Sequence, residues 1–596
     1  MKYSSVVMSW LRELGYTHCF FVAGGNNMHL LDGARQTMTC VPVVHEVVAG
    51  IAAEFFNEEA RAAGQPERAF AMVTAGPGLT NIMTAIASAY MESRDLLVLG
   101  GQVKTSDLAS DGIRQRGIQE ADGVAMAAPV CKAAVRLDGP MGRRRFASLV
   151  REGTSGRFGP VFLEFPLDVQ GAPVDVATLE DVEANDGAEP IPFDGHVLDR
   201  VRAMLAAARR PVLLVGGGVD RATVRASLDR LHDLGLPTVT TWNGADRIDA
   251  DDPVYCGRAN TWGQRSANLV VGQADLLLAV GTRLGLQQTG FNWQEYAPLA
   301  AVVQIDIDEA ELRKGHPRVD VAWRADAGQA LPAILGEGTL PGWHSWLEEC
   351  HEIRDLVPLI EDNGTRPGYL DAYEFTHELS RHCSPEDIVV PGSSGGAYTV
   401  TMQVWEQKLG QTIISDKGIA SMGYGLGGAI GAAFVGEGRR TVHLEGDGGF
   451  TQNLQDLATV AVNRLPIKTF LMSNEGYASI RMTQRNYFDG AYLGCDVRSG
   501  LGFPDWDLLF RAYSIPVLTL TDGLKTPGFD ELFAAPGPAA FVVPIDPEQT
   551  YFPKITSRVT ASGSMESNPL HRMSPDLPGE VAEKVYRYIP APTVEE

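Results

Sequence analysis

The chain has 596 residues, of which 44% are hydrophobic and 21% charged, and its net charge is −24 at pH 7. This length predicts about three to four domains, and the acidic balance argues against nucleic acid or an anionic membrane as a partner. No apolar run is as long as a membrane span. The N-terminus has the pattern of an amphipathic helix rather than of a signal peptide. The seven cysteines are scattered without a Cys-x-x-Cys pair, which is typical of reduced thiols, so we expect a cytoplasmic protein.

The first part of the chain alternates between short apolar runs and helical patterns. Such alternation predicts a mostly parallel sheet covered by helices on both faces. The predicted strands are 19–22, 41–44, 69–73, 96–100 and 161–166, and helical patterns cover 6–14 and 45–54. We place the first domain at residues 1–175.

Two further units of the same kind follow. An acidic, Pro- and Gly-bearing stretch at 178–193 predicts a linker. The second domain, 190–340, has a strand at 211–215 and strand-plus-turn units at 274–283 and 302–308, and the third, 365–550, has strands at 388–391, 441–444, 467–472 and 540–545. The predicted fold is therefore α/β, with three doubly wound parallel-sheet domains.

Two smaller features stay open at this point. Gly216-Gly217-Gly218 follow a strand, but they do not have the Gly-x-Gly-x-x-Gly spacing of a dinucleotide site. A tight strand-to-helix turn explains these glycines better. The tail, residues 551–596, lacks periodicity, and it is either a surface extension or a lid over a site.

Polar residues and glycines follow two strands of the third domain. Gly446-Asp447-Gly448-Gly449 come after the strand at 441–444, and Asn474 comes after the strand at 467–472. Asp447 and Asn474 supply oxygen ligands, while the glycines let backbone N–H groups approach phosphate oxygens. The pattern therefore predicts a hard cation that holds a diphosphate. The alternative is a Gly-Asp-Gly turn with an unrelated Asn.

This pattern resembles the signature of thiamine diphosphate enzymes, a Gly-Asp-Gly followed by an Asn pair, although Ser473 stands at the first Asn. The chain is identified as similar to the acetolactate-synthase-like branch of that superfamily. The order of the matching segments, from about residue 1 to 550, is that of acetolactate synthases and the related pyruvate oxidases and decarboxylases. The other segments are 44–49 (VHEVVA), 74–81 (TAGPGLTN), 156–161 with 166–169, 305–312 and 419–425 (IASMGYG).

The resemblance implies roles for particular residues. Glu46 would hydrogen-bond the pyrimidine N1′ and favour the tautomer whose nitrogen takes the thiazolium C2 proton. Met422 would wedge beneath a bent cofactor, and the Ala420 carbonyl would accept from its 4′-amino group. Taken in isolation, Glu46 is better interpreted as a charged residue on a solvated helix face, and the alternative for Met422 is a core residue. The implied Mg²⁺ ligands are Asp447, Asn474 and the Gly476 carbonyl. The other implied cofactor-binding residues are Gly24, Gly76, Asn81, Ser394, Gly395, Gly396, Gly446, Gly448, Gly449, Tyr477 and Ile480.

The resemblance also implies an assembly. The three domains would be pyrimidine-binding, central and diphosphate-binding, and the first domain of one subunit would face the third domain of another. We therefore expect a homodimer or homotetramer with active sites at subunit interfaces. FAD could be bound in the central domain without redox work, as in acetolactate synthases.

The sequence departs from acetolactate synthases where they shape the acceptor pocket. Their Gln-Trp is replaced by Met482-Thr483, and their Phe-Gln-Glu reads Ile118-Gln119-Glu120. Smaller side chains should enlarge the pocket, as in synthase-like enzymes that add an acetyl unit to ketones, nucleotide-linked keto-sugars included. The residues predicted to line the acceptor side are Gln119, Ile480, Thr483 and Gln484, and Gln119 is also predicted to be catalytic, as is Glu46. Asn26, Asn27 and His29 are either site residues or ordinary loop residues.

The expected activity is that of a carboligase. It would decarboxylate pyruvate or a similar 2-oxoacid and transfer the acyl-anion unit to an aldehyde or ketone. The alternatives are a true acetolactate synthase, a 2-oxoacid decarboxylase, a non-catalytic thiamine-diphosphate-binding subunit, and a flavin or nicotinamide oxidoreductase built on the central domain.

Overall fold

A computed structural model describes residues 1–179, 191–336, 338, 340–392, 395–436, 438–559 and 565–591. The chain forms two compact units. The first contains Met1–Glu189, Glu386–Tyr398 and Thr412–Pro544, and the second contains Pro190–Pro385, Thr399–Gln411 and Ile545–Glu596. None of the helices in the described ranges combines the length and hydropathy that a membrane span needs.

The N-terminal sheet has six strands, all paired in parallel. They are β1 (Tyr16–Phe21), β2 (Thr39–Pro42), β3 (Arg68–Val73), β4 (Leu96–Gln102), β5 (Ala133–Arg136) and β6 (Pro160–Pro166). The helices are α1 (Tyr3–Glu13), α2 (Met28–Ala34), α3 (Glu46–Ala62), α4 (Pro77–Asn81), α5 (Met83–Glu92), α6 (Gly123–Ala127), α7 (Arg143–Glu152) and α8 (Leu167–Gly171). The strand order is β2-β1-β3-β4-β6-β5. Every residue of β4 and β6 is buried, as expected for central strands covered on both faces.

The central sheet belongs to the second unit and is also six-stranded and parallel. Its strands are β7 (Pro211–Val215), β8 (Thr238–Thr240), β9 (Tyr255–Arg258), β10 (Leu276–Val280), β11 (Ala301–Asp306) and β12 (Val321–Arg324), and their order is β12-β11-β10-β7-β8-β9. The helices are α9 (Gly195–Ala207), α10 (Arg221–Leu234), α11 (Arg265–Gln273), α12 (Leu286–Thr289), α13 (Glu309–Arg313), α14 (Ala327–Leu335), α15 (His344–Leu356) and α16 (Ala372–His382).

The third sheet repeats the design. Its strands are β13 (Ile388–Pro391), β14 (Thr412–Ile413), β15 (Thr441–Gly446), β16 (Ile467–Ser473), β17 (Val517–Thr519) and β18 (Ala539–Pro544), and their order is β14-β13-β15-β16-β18-β17. The helices are α17 (Gly395–Val404), α18 (Tyr424–Val435), α19 (Asp447–Phe450), α20 (Leu457–Asn463), α21 (Ala478–Tyr487), α22 (Trp506–Ala512) and α23 (Phe529–Ala534). The three doubly wound parallel sheets confirm the predicted α/β architecture.

The C-terminal tail packs within the second unit. It contains the antiparallel pair β19 (Ser557–Val559) and β20 (Met565–Ser567), followed by α24 (Gly579–Val585). Arg265 on α11 donates to the carbonyls of Met573 (2.9 Å) and Pro575 (2.8 Å), and Gln273 donates to Val585 O at 2.9 Å. The described part of the tail is thus anchored on α11, and its role as a lid stays a prediction.

Within the first unit, α3 and α18 cross closely, and their buried residues join the cores of the first and third sheets in one cluster. Small residues make this approach possible. A Cβ added to Gly431 would overlap the Ala52 carbonyl oxygen, and one added to Gly428 would lie 2.6 Å from the Phe55 ring. The glycines of α18 are therefore required by the approach of backbone to backbone.

Candidate active site

The predicted cation ligands lie at the ends of two neighbouring strands, β15 and β16. Asp447 is the first residue of α19, and Asn474 follows β16 directly. Asp447 Oδ1 accepts from the backbone N–H of Gly448 at 2.7 Å, and its Oδ2 accepts from those of Asn474 (3.0 Å) and Glu475 (2.7 Å). The carboxylate is 1% exposed. Burial raises the pKa of Asp447 to about 7, against the lowering effect of these N–H groups.

The donor set suits a hard cation. The side-chain amide of Asn474 contacts the Gly476 carbonyl oxygen at 2.7 Å and Asp447 Oδ1 at 3.1 Å. With the amide nitrogen turned to them, both contacts are hydrogen bonds; with the amide oxygen there, three oxygens face one another, as around Mg²⁺. Within the described residues no group of three or more His, Cys, Asp or Glu side chains is placed to hold a metal. A cation here would depend on one carboxylate with amide and carbonyl oxygens.

Asp447, Asn474 and Gly476 form what we call the Asp447 clamp. The glycines beside this clamp leave room for neighbouring side chains. A Cβ on Gly448 would lie 2.5 Å from Cε1 of Tyr477, so these two predicted residues are in contact. A Cβ on Gly395 would overlap the Ser479 hydroxyl at the start of α21. Gly446 precedes α19, Gly449 lies in it, and Gly396 lies in α17 beside Gly395. Ile480 on α21 is 48% exposed, whereas Ser394 lies outside the described residues.

Glu46 occupies the first position of α3, where the helix dipole favours a negative charge. The residue is 8% exposed. Asn81, the last residue of α4, donates its Nδ2 hydrogen to Glu46 Oε2 at 2.9 Å. The 74–81 segment therefore contacts Glu46, the predicted activating glutamate, through Asn81.

Gly76 and Gln119 also meet. Gly76 has φ +64°, and a Cβ there would lie 2.7 Å from the Gln119 carbonyl oxygen. Gln119 itself is exposed and has φ +62°. A residue other than Gly at position 76 would displace Gln119 as well as strain the backbone.

One chain of contacts inside the first unit links the neighbours of Glu46 and Met422. His45 Nδ1 lies 3.4 Å from Asn453 Oδ1, and Asn453 Nδ2 donates to the Gly423 carbonyl at 2.9 Å. The preceding residue, Val44, donates its N–H to Asp456 Oδ1 at 2.8 Å. A single subunit therefore ties the segment before Glu46 to the residue after Met422.

Two predicted residues, Asn27 and Gln484, make local hydrogen bonds. Asn27 is buried, donates to the Val22 carbonyl at 3.1 Å and accepts from the Gly24 N–H at 3.0 Å, as an ordinary loop residue would. Gln484 makes two hydrogen bonds to the Leu493 backbone, at 2.9 and 3.1 Å. These contacts hold the loop after α21.

The glycines of the central sheet have a packing role. A Cβ on Gly216 would lie 2.6 Å from the Gly281 carbonyl carbon. Buried Arg247 donates to the carbonyls of Val219 (2.7 Å) and Gly217 (3.2 Å). These contacts explain why glycines are needed in the tight turn, so the glycines by themselves do not indicate a dinucleotide site.

Two features near the clamp escaped sequence reasoning. Arg481, buried at 3% exposure, donates to the Asn474 carbonyl at 2.7 Å. The Cys495 carbonyl accepts from the Tyr477 N–H at 2.8 Å, and Gly476 forms a bridge with Asp496. Arg481 is one of several polar residues in α21, and Asp496 lies 20 residues after Gly476, so the local sequence does not indicate either contact.

Three parallel sheets, with polar side chains gathered at strand ends and helix starts of the first and third, define the class of multidomain α/β enzymes that bind ligands at strand ends. Three family models match the chain: the thiamine pyrophosphate enzyme N-terminal TPP binding domain over residues 1–126, the central domain over 198–334 and the C-terminal TPP binding domain over 394–543.

Among similar proteins is the acetolactate synthase isozyme 2 large subunit of Escherichia coli K12, 30% identical over 569 residues, which cover 94% of this chain and 98% of that protein. The isozyme 1 large subunit of the same organism is 28% identical, covering 92% and 95%. Acetolactate synthase 2, chloroplastic, of Zea mays is 28% identical, covering 93% and 87%. The chain therefore belongs to the thiamine pyrophosphate enzyme family and is acetolactate-synthase-like, which confirms the predicted resemblance.

Proposed function

We propose that the chain is a Mg²⁺-dependent carboligase that decarboxylates pyruvate or a similar 2-oxoacid and transfers the acyl unit to an aldehyde or ketone. The observation that carries this proposal is the convergence of Asp447, Asn474 and Gly476 at the ends of β15 and β16. Thiamine diphosphate, when bound, supplies the electron sink for decarboxylation and carbon–carbon bond formation.

The protein's part is to bind, orient and move a proton. The oxygens of Asp447, Asn474 and Gly476 would hold Mg²⁺, and the N–H groups at the start of α19 would face the diphosphate. Asn81 fixes Oε2 of Glu46, and we assign Oε1 to the hydrogen bond with the pyrimidine nitrogen. The low exposure of Glu46 keeps water from competing for that bond.

We assign the acceptor side to Gln119, which is exposed, and to the exposed residues of α21. Ile480 is half exposed, and Thr483 donates its hydroxyl to the Ser479 carbonyl at 2.9 Å, so neither side chain is bulky or fixed in the core. A carbonyl compound larger than a 2-oxoacid would fit such an open wall. The test is to incubate the protein with pyruvate, Mg²⁺, thiamine diphosphate and a panel of ketones, aldehydes and 2-oxoacids, and to identify products by mass.

Acetolactate synthesis is the second candidate, because the relatives that carry that name match nearly the whole chain. Product masses separate the two. Acetolactate as the main product in the presence of every ketone and aldehyde would overturn the proposal in favour of this candidate. CO₂ and aldehyde without ligation would indicate a decarboxylase.

Two variants test the assigned residues. Glu46→Gln should lower turnover by about a hundredfold or more without changing the unfolding midpoint, and Asp447→Ala should abolish Mg²⁺-dependent cofactor binding by calorimetry. Glu67→Gln, an exposed glutamate of the same unit, is the matched control. Full activity of Glu46→Gln, or unchanged affinity of Asp447→Ala, would refute the respective role.

We also propose a homodimer or homotetramer in which Glu46 of one subunit serves the Asp447 clamp of another. Mixing Glu46→Gln with Asp447→Ala subunits decides this. If the site is built across subunits, half of the sites in mixed dimers are intact, and about a quarter of wild-type activity returns. If each chain completes its own site, the mixture stays inactive. Light scattering would give the number of subunits.

FAD in the central domain follows from the resemblance and rests on no contact described above. The visible absorption spectrum of the purified protein tests it directly. Flavin bands at one equivalent per chain would establish the cofactor, and their absence after reconstitution with FAD would remove it.

A further inference from the structure

The loop that carries Ala420 and Met422 has little structure of its own. Residues 414–423 lie between β14 and α18 and form neither helix nor strand. Ala420 has φ +54°, a left-handed conformation that costs a residue with a Cβ about 1 kcal/mol or more. Since residues 418–420 are also exposed, contacts from elsewhere must fix this conformation.

The main contact comes from α5 in the first sheet's domain. Glu92 is the last residue of α5, and its side chain has no solvent exposure. Its Oε1 accepts the backbone N–H of Lys417 at 2.7 Å and also that of Gly418. One carboxylate oxygen thus binds two consecutive amides at the start of the loop, which is a strong, charge-assisted arrangement.

A second contact lies one helical turn earlier on the same face of α5. Ser88 donates its hydroxyl to Asp416 Oδ1 at 2.7 Å, and Asp416 Oδ2 accepts the N–H of Ser421 at 3.1 Å. Asp416 is 1% exposed, and burial, reinforced by the charge of Glu92, raises its pKa. Glu92 therefore binds the loop before Ala420, and Asp416, which Ser88 holds, binds it just after Ala420.

Arg94 balances these buried carboxylates. Its Nη2 donates to the Ser415 carbonyl at 2.8 Å, its Nη1 donates to Glu54 at 3.0 Å, and it lies 4.0 Å from Glu92. Because Arg94 contacts the loop and the carboxylates of Glu54 and Glu92, its positive charge offsets part of the free-energy cost of burying them.

We infer that Glu92 is a positioning residue for the loop that presents the Ala420 carbonyl and Met422 to the cofactor, and that Ser88 and Asp416 form its second clamp. The inference rests on the proposed function only in taking this loop as the pyrimidine-contacting one. It assigns to the first domain a role in shaping the third domain of the same chain, separate from the role of Glu46.

The test uses Glu92→Gln and Glu92→Ala in the full-length protein, with Glu67→Gln as the control. Amide hydrogen exchange of the cofactor-free protein should become at least about tenfold faster in peptides covering 415–423, because hydrogen bonds to a charged acceptor are lost. Affinity for thiamine diphosphate should fall by about tenfold or more, in the order wild type, Gln, Ala. Affinity for Mg²⁺ with inorganic pyrophosphate, which needs only the Asp447 clamp, should not change.

Unchanged exchange and unchanged thiamine diphosphate affinity in a folded Glu92→Ala protein would overturn the inference, and so would an equal loss of pyrophosphate binding. Should the Glu92 variants fail to fold, Ser88→Ala tests the second clamp, with faster exchange of Ser421 as the expected result and wild-type exchange as the contrary one. Failure of the proposed function looks different. The wild-type protein would then make no ligation product, while Glu92→Ala would still bind thiamine diphosphate less tightly than the wild type.

Discussion

Gly431→Ala tests whether the crossing of α3 and α18 supports both the fold and the site. The added Cβ would overlap the Ala52 carbonyl oxygen and lie 2.7 Å from its carbonyl carbon and 2.8 Å from its Cα. These are backbone atoms inside a helix, so they cannot turn aside, and the two helices must separate by roughly 1 Å.

The magnitude is the difference between two effects. Overpacking of a core costs about 1–3 kcal/mol, while replacing a helical Gly by Ala returns up to about 1 kcal/mol of helix propensity. A net loss of about 1–2 kcal/mol corresponds to a fall of roughly 2–8 °C in the melting midpoint of a large domain. Because Glu46 begins α3 and Met422 lies just before α18, cofactor affinity should fall as well.

The assay is a thermal melt followed by circular dichroism, paired with calorimetric titration of thiamine diphosphate in the presence of Mg²⁺. Gly139→Ala is the matched control, because it adds a methyl group in the same unit where nothing lies within 4 Å. A Gly431→Ala protein that melts with the wild type and binds the cofactor equally well would refute the reasoning that the crossing distance is fixed.

Three further outcomes are expected. Gly448→Ala should weaken Mg²⁺-dependent cofactor binding by about tenfold or more, because its Cβ would push the Tyr477 ring away; Gly502→Ala, with nothing within 4 Å, is the control, and equal calorimetric affinities would contradict this. Burial raises the pKa of Glu54 to about 7, above its unfolded value near 4.5. The folded protein then binds more protons between these values, and stability falls as pH rises through that window. Relative to Glu54→Gln, wild-type unfolding free energy should therefore drop by up to about 3 kcal/mol between pH 5 and 8, and a pH-independent difference would contradict the burial effect. Thr483→Trp should favour small acceptors, and an unchanged product ratio would remove that residue from the acceptor wall.

Most strands inside the sheets could be predicted from sequence, whereas most edge strands could not; the exceptions are β2, an edge strand that was predicted, and β8, an inner strand that was not. β4, β6, β10 and β15 are continuous apolar or fully buried runs, and such runs give a strong signal. The strands that went unpredicted include β5, β12, β14 and β17 at sheet edges, which have two to four residues and, except for β14, incomplete burial. Short edge strands lack a long run or a clear period.

The site divides in a similar way. Polar residues at strand ends, such as Asp447 and Asn474, stand in compact local patterns, so their place beside each other could be predicted. Arg481 and Glu92 act through backbone atoms of other segments, and Glu92 lies 325 residues from its partner Lys417. No local pattern encodes such a pairing, because the fold alone creates it.

The placement of Ile480 and Ile118 has a consequence for how this protein could change its substrates. Both are exposed, at 48% and 86%, while Asp447, the proposed cation ligand, and Glu46 are buried. Exposed positions tolerate replacement at little cost in stability. A library of substitutions confined to the exposed positions of 104–120 and α21 should therefore change which acceptors react without weakening cofactor binding. Substrate choice and cofactor binding would then depend on different residues of the chain.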